Sequence, residues 1–183
     1  MKLLSLAHSC EPEVFVDKDG KEKRFYNGPS PDEVELVQFA NKMDFKCLES
    51  SVEHIKLSLK ENGKIHEKEY SKFISMDFTS DRKRMSVLIR DPADNKLKLL
   101  VKGADSIIIE RLDKSAQSHE MNKKIDWFLD TASKQGLRTL LMAMRIVDEE
   151  EKDKFLAEVN SAKQITNKDQ KEAKLNDLYS KFE

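Results

Sequence analysis

Glycine is scarce, with five residues in 183, and none falls in a Gly-rich loop of the kind that cradles phosphates through backbone N–H groups. Any phosphate this chain meets is therefore expected to be held by side chains. Cysteine is nearly absent: Cys10 and Cys47 have no companions at metal-ligand spacing, so free thiols are expected rather than a disulfide. The pair His8 and Cys10 is too closely spaced for the usual zinc knuckle, and His54, His66 and His119 add no matching cluster. Long apolar runs are missing as well. None approaches the roughly 20 residues needed to cross a bilayer, and the opening segment, residues 1–7, is too short for a secretory signal and reads as part of a helix. Charge of one sign is lacking too, since 33 basic and 34 acidic residues leave a formal charge of −1. That balance excludes binding to nucleic acid or membrane by bulk electrostatics. No nucleophile elbow, HExxH helix or zinc-deaminase signature is present, which favours a binding module over a self-contained catalyst.

What is present is alternation. Ile55, Leu57 and Leu59, then Ile74, Met76 and Phe78, then Met85, Val87 and Ile89, then Leu97, Leu99 and Val101 read as antiparallel strands. Asn62-Gly63 and the run from Pro92 to Asn95 supply the turns between them. An earlier hairpin is expected around Asp19-Gly20, with Val14 and Val16 before it and Phe25 after it. Asp17-Lys18-Asp19-Gly20 superficially resembles the phosphorylated Asp-Lys-Thr-Gly-Thr loop of P-type ATPases, but Asp replaces Thr and a hairpin explains it.

Ser30-Pro31-Asp32-Glu33 is a helix start, with Ser30 as N-cap and Glu33 placed to complete a capping box. Leu36, Val37, Ala40 and Met43 would be the buried stripe of that helix. A second helix is expected from Met121 to Ala132, with apolar residues at 121, 125, 128, 129 and 132, ended by Gly136. Residues 137–144 are apolar enough for a buried strand returning into the sheet. From Asp148 the chain turns polar and helical, beginning with an acidic first turn, and two narrow stripes predict two charged helices with little burial. Those stripes are Phe155, Val159 and Ala162, then Leu175, Leu178 and Phe182. One domain over residues 1–183 is expected: a sheet and helices over 1–147, and a polar helical pair over 148–183.

The segment from Phe78 to Val87 joins an aromatic ring to the cations Arg82, Lys83 and Arg84, the parts a nucleotide site needs. Strand alternation would put Arg82 and Arg84 on one side and Lys83 on the other. Arg-Lys-Arg-Met-Ser86 also has the look of a basic-directed kinase site, although a serine on a strand is a poor target.

Four segments gain meaning together: residues 26–33 (YNGPSPDE), Phe78 to Val87, residues 101–105 (VKGAD) and residues 136–140 (GLRTL). In order and spacing they resemble the nucleotide-binding (N) domain of P-type ATPases, and their wording is similar to the phospholipid-flippase branch. The resemblance extends to residues 4–13 at one end and 145–151 at the other. It implies an α/β fold of the α+β type, with a central twisted antiparallel sheet of about six strands flanked by helices. It implies that Phe78 stacks on adenine, Glu33 hydrogen-bonds near the exocyclic amine, Lys102 lies deep beside base and ribose, Arg138 reaches the phosphates and Lys83 stands at the phosphate end. Without the resemblance each has a plainer reading. Phe78 would continue the core alternation, Glu33 would cap, Lys102 would be a solvated strand lysine, and Arg138 a surface cation.

The phosphorylation loop, the Thr-Gly-Glu phosphatase loop, the hinge aspartates and all membrane helices of the family are missing from these residues. The resemblance thus implies a domain excised from a larger membrane ATPase. It would lie on the cytosolic face, be soluble, monomeric and inactive in isolation, and contain neither a catalytic residue nor a metal ligand. ATP is the implied substrate, with Mg2+ bound outside this domain. The implied partners are the phosphorylation, actuator and membrane domains of the parent, with room for an accessory subunit and no nucleic acid. Two alternatives stay open at this point: the N domain of a cation pump, although cation pumps usually carry a Gly-Glu-Ala-Thr-Glu-like segment where Pro-Ser-Pro-Asp-Glu stands here, and a protein-interaction module without nucleotide.

Overall fold

The structure is a computed structural model that describes residues 1–61, 63–113 and 115–183. The expected turn at Asn62-Gly63 lies partly outside the described residues; Gly63, which is described, has φ 77°. A short helix α1 (Lys2–Leu6) leads into a hairpin of β1 (Glu11–Val16) and β2 (Glu22–Asn27), then α2 (Pro31–Lys42). Six further strands follow: β3 (Phe45–Ser50), β4 (His54–Glu61), β5 (Lys64–Met76), β6 (Arg84–Arg90), β7 (Leu97–Gly103) and β8 (Leu141–Val147). They form one antiparallel sheet in chain order, β3 to β8. This is the six-stranded α/β architecture the sequence led us to expect. Helices α3 (Asp105–Ile109) and α4 (His119–Lys134) interrupt it before β8, and α5 (Glu149–Lys163) and α6 (Lys168–Phe182) end the chain.

Each face of the sheet carries its own core, because side chains alternate along a strand and both faces are covered. Ile55, Leu57, Tyr70, Val87, Ile89 and Leu100 point to one side, where α1, α2 and Tyr26 of the hairpin cover them. Ile74, Met76, Leu88, Leu97, Leu99 and Val101 point to the other, beneath α3, α5 and α6. Strand β5 serves both. Its register shifts between Lys72 and Ile74, and that bulge turns the even-numbered side chains from the first face at Tyr70 to the second at Ile74 and Met76.

Several local expectations are corrected. Residues 137–140 are not strand: β8 starts at Leu141 and is an edge strand whose Met142, Met144 and Ile146 are exposed. Only its alternate residues face the sheet's second core. On α2, Val37 and Ala40 are buried but Met43, past the last turn, is exposed. On α4, Ala132 is buried whereas Met121 and Phe128 stand in solvent. Gly136 does end α4: with φ 67° it donates to the Ser133 carbonyl while Leu137 donates to that of Ala132, the paired bonds of a left-handed helix terminus. The expected stripes of the C-terminal helices are the ones buried, but the burial is not slight: Phe155, Val159, Ala162, Leu178 and Phe182 enter the second core, with Leu156, Ile165, Leu175 and Tyr179 packed against it. Asp148 caps α5 by accepting from the Glu151 N–H, so the acidic run is its first turn. Among the described residues no helix is long and apolar enough to cross a membrane.

Candidate functional site

Lys102 is the next-to-last residue of β7, on the same face as Leu100 and so directed toward the core under α2. Its ammonium lies 3.0 Å from Glu33 Oε1, in the first turn of that helix. Glu33 does not close a capping box. Ser30 is the N-cap residue but makes no side-chain cap bond, and the second oxygen of Glu33 instead accepts the backbone N–H of Ser9 at 3.2 Å. The carboxylate is drawn away because a buried ammonium needs a counter-charge more than an exposed helix start needs a second cap. Lys102 is correspondingly not the solvated lysine its strand position alone suggests; it is 5% exposed.

Phe78 lies two residues beyond the end of β5 and is 61% exposed. The alternation of Ile74 and Met76 does not carry it into the core, because the strand stops at Met76. Its predecessor Asp77 is held twice: Oδ1 accepts from the Ser9 hydroxyl at 3.1 Å, and its carbonyl accepts from Arg82 Nη1 at 2.6 Å. Ser9 therefore connects Glu33 to the backbone that carries Phe78. Sequence reasoning missed Ser9; its only signal was its place between His8 and Cys10.

The turn from Thr79 to Lys83 docks on the end of β7. Lys83 donates its N–H to the Thr79 carbonyl at 2.8 Å, and its own carbonyl accepts from Ala104 at 3.0 Å. A Cβ at Gly103 would stand 2.6 Å from the Lys83 carbonyl oxygen and 2.5 Å from Arg84 Cβ, so this approach requires glycine. Lys83 itself has φ 52° and is exposed. Arg82 and Arg84 do share a side, but Arg82 lies in the turn and Arg84 is the first residue of β6, so they are not members of one regular strand. Both are buried and both pair with the carboxylate of Glu183, which also accepts from the Ser86 hydroxyl. These two cations are committed to a structural ion cluster, and Ser86 is buried, which removes the kinase-site reading.

The segment after α4 joins the same region. Thr139 Oγ1 donates to Asp105 Oδ2 at 3.1 Å, and Arg138 Nη1 lies 2.9 Å from Asp32 Oδ2, one residue before Glu33. The Arg138 side chain is 88% exposed. Ser9 links Glu33 to Asp77, next to Phe78; Arg138 pairs with Asp32, next to Glu33; and the Lys83 carbonyl is bonded at Ala104, two residues after Lys102, with Phe78, Lys83 and Arg138 exposed and the Glu33–Lys102 pair largely buried. The region is an open shelf. Two surface depressions, about 470 Å3 between α5 and α6 and about 250 Å3 between α3 and α4, include none of these residues.

Below the shelf lies His8. Its Nδ1 accepts the Cys10 N–H at 3.1 Å, which leaves Nε2–H to donate to the Ser5 carbonyl at the same distance. Burial, reinforced by the charge of Lys102 and only partly offset by Glu33, pushes His8 down to about 4, so it is a neutral ring at physiological pH. Burial, with Glu33 adding to it, pushes the Cys10 thiol up to about 11. The two hydrogen bonds of the His8 ring, to Ser5 and Cys10, brace the loop that carries Ser9.

Residues 1–178 match the family model described as P-type ATPase, cytoplasmic domain N. The chain is 36% identical over 99% of its length to the probable phospholipid-transporting ATPase 7 of Arabidopsis thaliana, and 38% identical over 88% of its length to the phospholipid-transporting ATPase DRS2 of Saccharomyces cerevisiae. It spans only 14% and 11% of those relatives. On the match over nearly its whole length, the chain belongs to the family of P-type ATPase cytoplasmic N domains.

Proposed function

We propose that the chain binds ATP by its adenosine end and presents the γ-phosphate to the phosphorylatable aspartate of a neighbouring domain, powering phospholipid translocation in a larger parent. The observation that carries this reading is the bridge through Ser9, which ties the buried Glu33–Lys102 pair to the backbone bearing an exposed Phe78. A large aromatic left 61% exposed, and linked through Ser9 and Asp77 to a fixed carboxylate and ammonium, suits a stacked base with polar edges. Arg138 and Lys83, at the solvent side, suit the phosphates; a guanidinium can grip two phosphate oxygens at once.

The similarity to phospholipid-transporting ATPases supports lipid rather than cation movement in the parent. Mg2+ would arrive with the nucleotide and be held outside these residues, as would the accepting aspartate, so the chain alone is expected to turn over no ATP. Its place would be the cytosolic face of the parent's membrane, as a monomeric unit against the phosphorylation and actuator domains, with an accessory subunit of the parent as a further partner. A stacked base and one or two screened cations on an open shelf correspond to a Kd on the order of tenths of a millimolar to millimolar, roughly −4 to −5.5 kcal/mol. Weak binding suits a carrier that must release its product.

Titrating ATP into the isotope-labelled protein is expected to shift resonances of Phe78, Lys102 and the first turn of α2. Absence of any shift at ten-millimolar-order nucleotide, well above that range, sinks the reading.

A further inference from the structure

Arg82 holds two partners at once. While Nη1 donates to the Asp77 carbonyl at 2.6 Å, Nη2 pairs with the carboxylate of Glu183, just past the last turn of α6. Arg82 is 5% exposed and the Glu183 side chain is wholly buried. The guanidinium also lies over the ring of Tyr179 on the same helix, 5.1 Å from its centroid. From the other flank, Arg145 of β8 donates to the Phe182 carbonyl at 2.7 Å, so cations hold the end of α6 on two sides, where the helix dipole favours them.

The geometry points to Arg82 and Glu183 as positioning residues for Phe78: their buried pair sets where the stacking ring sits and couples nucleotide occupancy to the docking of the end of α6. This rests on the ATP reading above. Phe78 is too exposed for packing to hold it, so its place is decided by its backbone, and the carbonyl just before it is fixed by Arg82. The guanidinium is planar and rigid, so displacing Glu183 tilts or frees the fork that grips Asp77. Lifting the end of α6 would strip a buried cation of its counter-ion, and the side chain that restores its solvation must leave Asp77. None of the side chains placed at the nucleotide shelf belongs to α6. Coupling of this kind is reciprocal: if a docked α6 favours the bound position of the ring, bound ATP must favour a docked α6.

Amide hydrogen exchange of the unmodified 183-residue protein, with and without saturating ATP, tests this directly. ATP is expected to slow exchange in the last turn of α6, and to do so no longer in Phe78→Ala at the same fraction bound. Changes confined to the shelf would overturn the inference while leaving ATP binding intact; no change anywhere would overturn both. A second arm uses Arg82→Met, which leaves Glu183 paired with Arg84 and Ser86. It is expected to weaken ATP binding on the order of fivefold or more, and Phe78→Ala should then cost less than it does in the unmodified protein. Equal fold-losses in the two backgrounds would refute a positioning role, since independent sites add. The exchange arm needs no variant at Arg82, so it decides the matter even where Arg82→Met does not fold.

Discussion

Lys102 Nζ and Glu33 Oε1 stand 3.0 Å apart with their side chains only 6% and 11% exposed. The two groups proposed to meet the base edge are therefore each other's counter-ions. A buried pair that loses one member leaves an uncompensated charge, which costs about 3–5 kcal/mol, whereas removing both members together costs far less. Lys102→Met should thus lower the stability by about that amount, read from urea unfolding. Adding Glu33→Gln should recover a good part of the loss. Strict additivity of the two changes would mean that the pair is not an interacting unit.

Phe78 allows a cleaner separation of binding from folding. Because the ring is 61% exposed, Phe78→Ala should leave stability within about 0.5 kcal/mol of the parent protein. Its neighbour in the alternation, Met76, is wholly buried, and Met76→Ala should cost about 2–5 kcal/mol. ATP affinity should respond in the opposite pattern, with Phe78→Ala losing about 1–3 kcal/mol of binding. Parallel denaturation and nucleotide titrations of the two variants check both halves. A strongly destabilised Phe78→Ala would return the ring to the core.

The strands β6 and β7 were legible because their alternation runs unbroken on a sheet covered on both faces. The full extent of β5 was not, since the bulge at residues 72–74 reverses which residues face which core. A period-2 pattern cannot announce its own phase change. The same limit applied at Phe78: the pattern continued past the point where the strand ended. Glu33 met the pattern of a capping box, but that pattern says nothing of a lysine 69 residues away that competes for the carboxylate. Arg82, Arg84 and Glu183 were least legible of all, because their partnership spans about a hundred residues and joins a turn and the first residue of β6 to a helix end. Segment order, rather than any local pattern, is what set the distant residues Glu33, Lys102 and Arg138 together in the sequence; the structure pairs Glu33 with Lys102 and Arg138 with Asp32.

The two thiols give a prediction about access. Burial pushes Cys10 up to about 11 and Cys47 up to about 12, and the thiolate is the reactive form. Neither should react with a thiol-directed disulfide reagent at neutral pH while the protein is folded, and both should react in urea. Labelling followed by mass spectrometry distinguishes the cases. Gly28→Ala should expose the difference at one site, because a Cβ there would stand 2.6 Å from Cys10 Sγ and displace it. Faster labelling of Cys10 than of Cys47 in that variant is the expected result.

His8 sets the pH dependence. Its pKa falls from an ordinary 6.5 to about 4 on folding, first through burial and then through the charge of Lys102. Between those values the unfolded chain binds a proton that the folded protein does not, so stability rises with pH across the interval. The contribution is fully present above about 6.5, is lost as the pH falls toward about 4, and does not decline further below that. At roughly 1.4 kcal/mol per pH unit the whole loss is on the order of 3 kcal/mol. The aspartates whose pKa values are lowered by hydrogen bonds, Asp17 and Asp94 among them, titrate below their ordinary 3.8, and Glu61 and Glu149 below their ordinary 4.5, so these carboxylates act toward and beyond the acid end of the His8 interval. Urea unfolding at steps from pH 7 to pH 4 should therefore show a slope that His8→Asn flattens, whatever the absolute stability of that variant. An unchanged slope would mean that His8 charges in the folded state, which its two hydrogen bonds to the backbone at Ser5 and Cys10 do not accommodate.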